Sequence, residues 1–160
     1  MEPIAYRPIG VIRTPFPSPD GMPIQAVAAR GIAGTIEIDE AFIEGLADVD
    51  GFSHLILVYH LHLMASPRLI VRPFLDDTPR GVFATRSPAR PNPIGLSTVR
   101  LLALRGGTLD IEDVDMVDGT PLLDLKPYVP EFDDRADARI GWFEGRVEDV
   151  ADVRADGRFR

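Results

Sequence analysis

GLSTVRLLALRGGTLDIEDV, residues 95–114, reads as two strands joined by a tight turn. Residues 95–104 carry strand composition, Arg105-Gly106-Gly107 interrupts them, and residues 108–114 resume as a hairpin partner. The same alternation of short apolar runs and turn formers extends outward along the chain. Residues 4–14 (IAYRPIGVIRT) form a strand with Gly10 placed for a bulge, residues 31–39 alternate as another, and residues 54–63 (HLILVYHLHL) are the most apolar of all. Residues 69–75, 81–85 and 121–125 are shorter candidates, and Asp39 is placed to cap a short helix through Leu46. This rhythm predicts a mainly β chain: a single closed or nearly closed β-barrel with one or two short helices, rather than alternating βαβ units.

Composition agrees with that architecture. Fifteen prolines and fourteen glycines in 160 residues leave few stretches where a long helix could continue. The expected organisation is a barrel domain over residues 1–135 and a C-terminal extension over 136–160, docked through Ile140-Gly141-Trp142-Phe143 and fraying over its last ten or so residues. Residues 15–23 (PFPSPDGMP) read as a mobile loop. With no cysteine, disulfides and thiolate chemistry are excluded. The start, Met1-Glu2-Pro3, has no signal-peptide character, and the longest apolar run, residues 55–59, is far short of the roughly 20 residues that span a bilayer. The expectation is a soluble, cytoplasmic protein with no membrane partner. A net charge of −8 opposes unaided binding to a polyanion. That charge is polarised, because residues 68–100 hold six arginines against Asp76 and Asp77.

Residues 83–97 (FATRSPARPNPIGLS) place three prolines, two arginines, an asparagine and a glycine between strand-like runs. Each proline fixes its own φ and pushes the preceding residue out of the helical region, so Ser87, Arg90 and Asn92 are expected extended on a stiff ribbon. The guanidinium forks of Arg86 and Arg90 suit a carboxylate or phosphate, and Gly95 permits close approach to the backbone. The ribbon is therefore a binding loop for a small anion.

A second constellation is DVDMVDGTPLLDLKPY, residues 113–128. Asp124, Lys126 and Tyr128 recur at a period of two and share one strand face, either as a polar wall for proton transfer and charge stabilisation or as a solvated ion pair. The spacing of Asp113, Asp115, Asp118 and Gly119 departs from a calcium loop at its third ligand. His54, His60 and His62 share a strand face, but no third metal ligand has a recognisable spacing, so no metal is expected. Dinucleotide, ATP-loop, hydrolase-elbow and zincin motifs are absent from the sequence.

IGVIRTP (9–15), FSH (52–54), GVFATRS (81–87), RPNPIG (90–95), DGTP (118–121) and DLKPY (124–128) occur in this order. Together they resemble the TsaA-like, or TrmO, family over about residues 4–130, as a short form without the extra C-terminal domain of longer bacterial members. The resemblance implies a β-barrel methyltransferase that uses S-adenosylmethionine, methylates N6 of threonylcarbamoyladenosine at position 37 in the tRNA anticodon loop, and forms a homodimer with the cofactor near the subunit interface. It points to Phe83, Thr85, Arg86, Arg90, Asn92, Ile94, Ser97, Asp118, Gly119 and Leu122 as cofactor-binding residues. It also puts His62 at the position of a family Phe-His pair. With that activity in view, Asp124 or His62 is the candidate base, and Lys126 and Tyr128 would steady developing charge. Methylation of a small metabolite, or a noncatalytic S-adenosylmethionine-binding module, are the alternatives.

Overall fold

The computed structural model describes residues 2–156. Its strands are β1 (Gly10–Arg13), β2 (Ala33–Ile38), β3 (His54–His60), β4 (Ile70–Val71), β5 (Arg80–Gly81), β6 (Ile94–Arg105), β7 (Thr108–Glu112) and β8 (Thr120–Pro127). Six of them close a barrel in the order β1-β2-β7-β6-β3-β8, with β8 returning to β1 and every pairing antiparallel. Closure removes the unpaired edges that an open sheet of this composition would expose. β4 and β5 form a separate two-stranded sheet.

Period-two alternation decides what faces inward. Along β3, Leu55, Leu57 and Tyr59 are buried, while His54, Ile56, Val58 and His60 between them are only partly covered. Ile12, Ile36, Val99, Leu109, Ile111, Val114 and Leu122 complete a fully buried core, each side chain contributing about 1.5 to 3 kcal/mol of burial free energy. The β6–β7 turn passes through Gly106 at φ 59°, the left-handed region that glycine enters without a Cβ penalty.

Several sequence expectations are corrected here. The strand expected over residues 4–14 is confined to Gly10–Arg13, because Pro3 and Pro8 supply no ladder donor. Gly10 is not a bulge; it pairs in register with Ile38 and Leu122. The irregularities fall instead at Val58/Tyr59 against β8 and at Leu101/Ala103 against β7. Residues 69–75 form strand only over Ile70–Val71 before Pro73, and residues 81–85 turn into a 3-10 turn at Val82–Ala84. The short helix expected from Asp39 through Leu46 is borne out as a 3-10 helix, Glu40–Leu46, with the Asp39 carboxylate accepting from Ala41 N–H at 3.0 Å. The one α-helix among the described residues is a single turn, Pro130–Asp133. No helix among the described residues is long and apolar enough to cross a membrane.

The register gathers the connections 14–32, 61–93 and 113–119 at one barrel end, because β1, β3 and β7 finish there and β2, β6 and β8 begin there. The C-terminal segment docks on the same end. Gly21 N–H donates to Ala155 O and Ala155 N–H to Met22 O, while Trp142 Nε1–H donates to Ala84 O at 2.7 Å. The 15–23 segment, expected to be mobile, is fastened at its start by Thr14 Oγ1–H to Met116 O and at its end by the pairing with Ala155. Residues 157–160, part of the stretch where fraying was expected, lie outside the described residues.

Candidate functional site

At the loop-rich end, two inward-facing polar side chains replace the hydrocarbon of the core. Tyr59 comes from β3 and Ser97 from β6. Gly95 makes their approach possible, since a Cβ there would clash with the Tyr59 ring. The close approach anticipated at this glycine is thus made by a tyrosine of the chain itself. Ser97 Oγ–H donates to Asp115 Oδ1 at 2.6 Å, which leaves Ser97 Oγ to accept from the Tyr59 hydroxyl at 2.9 Å. Burial pushes the Asp115 carboxyl up to about 6, against the opposing influence of the Ser97 hydrogen bond, the Arg86 charge and the backbone N–H of Ala26. Burial, then the Asp115 charge, holds the Tyr59 phenol well above its ordinary range. The result is a relay Tyr59–Ser97–Asp115 whose half-buried carboxylate end lies in the 113–119 connection, against the 3-10 turn Ala26–Ala28.

The ribbon forms one wall of this end, though it is not uniformly extended. Arg90 N–H donates to Pro88 O and Ile94 N–H to Asn92 O, two tight three-residue turns. Hydroxyls stiffen it further: Ser87 N–H donates to Thr85 Oγ1 and Ala89 N–H to Ser87 Oγ. The two arginines separate in role. Arg90 turns inward and donates to Thr85 O at 2.8 Å and Val82 O at 3.2 Å, with its guanidinium 5.8 Å from the Phe83 ring centroid. Arg86 stays exposed, donates to Gln25 Oε1 at 2.8 Å, and is near enough to Asp115 to act on its ionisation. Phe83, 73% exposed, and exposed Asn92 and Ile94 present surface to a ligand, whereas Thr85 is buried with its hydroxyl on Val82 O.

The remaining candidates divide between the two ends and two faces of the barrel. Asp118 and Gly119 lie at the loop-rich end, where Asp118 Oδ1 accepts from Thr14 N–H at 3.0 Å and Gly119 N–H donates to Ile12 O. Leu122 is wholly buried in the core. His62 follows β3 at this end, its N–H on His60 O. Asp124 and Lys126 project from the outer wall of β8, opposite Val58 and Ile56, and form an ion pair of 2.7 Å with both side chains about half exposed. Tyr128 lies past the end of β8 at the other barrel end, donating to Asp134 Oδ1 at 2.6 Å, and that bond raises its phenol above the ordinary range. Tyr128 is therefore at the barrel end opposite the ribbon, while Asp124 faces outward across Val58 of β3 from Leu96. Tyr59, Gln25 and Asp115 belong to the site but carried no clear sequence signal. Asp115 enters the sequence pattern only through a spacing that departs from a calcium loop, and no cluster of three metal-ligating side chains occurs among the described residues.

Residues 11–134 match the family model described as tRNA-methyltransferase O N-terminal domain. A Pyrococcus abyssi protein named "Probable S-adenosyl-L-methionine-binding protein PYRAB06630" is 56% identical over 98% of this chain and 85% of its own length. The mouse "tRNA (adenine(37)-N6)-methyltransferase" is 35% identical over 79% of this chain and 31% of its own length. The crystal structure of TrmO from Pseudomonas aeruginosa superimposes with a TM-score of 0.74 at 38% identity, covering 88% of this chain and 63% of that one. The chain thus spans most of the archaeal relative but under two thirds of the bacterial structure and about a third of the mouse protein.

Proposed function

The chain belongs to the tRNA-methyltransferase O N-terminal domain family, and from that premise we propose that it is an S-adenosylmethionine-dependent methyltransferase acting on N6 of threonylcarbamoyladenosine at position 37 of tRNA. The observation that carries this reading is an exposed guanidinium, Arg86, held by Gln25 at the same end of a closed barrel as the half-buried carboxylate of Asp115.

The donor set fits the cofactor's chemistry. S-adenosylmethionine has a free carboxylate that a guanidinium fork can hold, a purine that stacks on exposed aromatic surface, and a sulfonium favoured beside a carboxylate. Arg86 is the residue for the carboxylate, positioned by Gln25. Phe83, Asn92 and Ile94 offer the open surface for the remainder, with Asp118 and Gly119 across the same end. Thr85 and Arg90 hold the ribbon in shape, and Ser97 and Leu122 form the floor. When bound, the cofactor supplies an electrophilic methyl group, and the chain contributes orientation and exclusion of water. His62 stands at the same end as a candidate for the acceptor side. Asp124, Lys126 and Tyr128, on the outer wall and beyond it, are proposed to meet the acceptor or a second subunit. Exposed Ile94, Leu96 and Leu102 line the outer face of β6 and support a homodimer. A tRNA acceptor implies a cytoplasmic setting.

The test supplies cofactor labelled in its methyl group together with tRNA lacking the mark, or with a small-molecule extract. Label in the tRNA at adenosine 37 is the expected result. Label confined to the extract would replace the acceptor with a small metabolite, a reading that the net charge of −8 favours. No label despite measured cofactor affinity would leave a binding module.

A further inference from the structure

Of the Tyr59–Ser97–Asp115 relay, only Ser97 falls among the residues to which the family resemblance assigned a role. The relay is not a packing accident, since each member is aimed. Tyr59 donates to Ser97, Ser97 donates to Asp115 at 2.6 Å, and Ala26 N–H also reaches the carboxylate, which fixes its orientation at the mouth of the barrel. Among the described residues no buried polar side-chain atom is left unpartnered, and of the three members Asp115 alone is half-buried while Tyr59 and Ser97 are buried.

We propose that Asp115 is the proton acceptor of the methyl transfer, with Ser97 and Tyr59 as positioning residues that hold its carboxylate toward the acceptor nitrogen. This rests on the methyltransferase reading above. In the step, the lone pair of the acceptor nitrogen forms the new N–C bond as the C–S pair returns to sulfur, leaving a neutral thioether. The N–H proton passes to the Asp115 carboxylate and then to solvent. A carboxyl titrating near 6 is mostly ionised at neutral pH yet basic enough to accept from an acidified ureido nitrogen. The charged and titratable groups facing it are Arg86 from the ribbon and Tyr59 from β3; β6 contributes the neutral Ser97 and the 26–28 turn a backbone N–H.

The experiment compares the wild type with Asp115→Asn and Ser97→Ala in three measurements: calorimetric titration of S-adenosylmethionine, carbon-13 titration of the Asp115 carboxyl without cofactor, and single-turnover methylation of unmarked tRNA from pH 5 to 9. Three results support the proposal. Asp115→Asn keeps cofactor affinity within about tenfold while its rate falls about 100-fold or more. The acid limb of the wild-type rate tracks the carboxyl titration. In Ser97→Ala, which removes a hydrogen bond to the ionised form, both move to higher pH together. If Asp115→Asn is unstable, this joint displacement decides alone. The proposal is overturned if Asp115→Asn turns over like the wild type, if its affinity falls as far as its rate, or if the rate limb ignores the carboxyl. A wild type that binds cofactor but labels no acceptor removes the methyltransferase reading, and this proposal with it. An active wild type beside an active Asp115→Asn removes this proposal alone.

Discussion

A methyl group on Gly95 would clash with the Tyr59 ring, whose hydroxyl is tied to Ser97 and so limits retreat. Gly95→Ala is expected to cost about 1 to 3 kcal/mol by overpacking, read from urea unfolding, and adding Tyr59→Leu should recover part of that loss in a double-mutant cycle. Asp115 makes a second prediction at this scale. Its folded pKa, about 6, lies above the unfolded value of about 3.9. The folded state therefore holds the proton more tightly, and the resulting stabilisation is present below pH 4 and lost as pH rises through 6. Between those limits the wild type should lose of order 2 kcal/mol relative to Asp115→Asn, measured as the difference in unfolding free energy at each pH. Neither effect is legible in sequence. Tyr59 and Gly95 are 36 positions apart and meet only because β3 and β6 pair in this register.

The ribbon shows how elements sort similar residues into different tasks. Proline spacing marked it as stiff, and the side-chain chemistry marked it as anion-binding, but nothing local tells the Arg90 fork from that of Arg86. Arg90→Ala strips donors from two carbonyls of the preceding turn and should lower stability by about 1 to 3 kcal/mol. Arg86→Ala should instead weaken S-adenosylmethionine binding by at least about 1 kcal/mol with a smaller stability loss, so the pair of variants separates brace from ligand group. Equal stability losses with unchanged affinity would refute the assignment. β8 carries a comparable lesson. Its register shift places Leu122 opposite Tyr59 and Asp124 opposite Val58, leaving Leu123 as the extra residue. That one residue keeps Leu122 in the core while Asp124 and Lys126 face outward. Period two correctly paired Asp124 with Lys126, but it could not say which wall they occupied.

At the scale of the molecule, the C-terminal segment acts as a clasp across the site loops. Trp142 donates to Ala84 O, lies 4.6 Å beneath the Arg80 guanidinium, and stacks on Phe143 at 3.9 Å. Arg80 and Arg146 converge on Asp76, whose carboxyl is pulled down to about 2 chiefly by the Arg80 hydrogen bond. That contribution is present above the unfolded pKa of about 3.9 and is lost as pH falls through 2. Trp142→Ala should lower stability by about 1 to 2 kcal/mol and speed proteolysis within residues 15–32 and 76–90, while amide exchange in β3 and β6 stays slow. Protection lost equally throughout the barrel would show that the clasp is part of the core instead.

Sequence alone was enough for the barrel, because alternation and turn residues act over a few neighbouring positions and many short strands favour an antiparallel sheet that closes on itself. It was also enough for the family and for the ribbon, whose conformational limits are built into proline. Which arginine faces solvent, which carboxylate loses hydration, and which end of the barrel collects the loops were decided by tertiary structure. Those properties depend on register, burial and the approach of residues distant in the chain, and none of them exists until the sheet has closed.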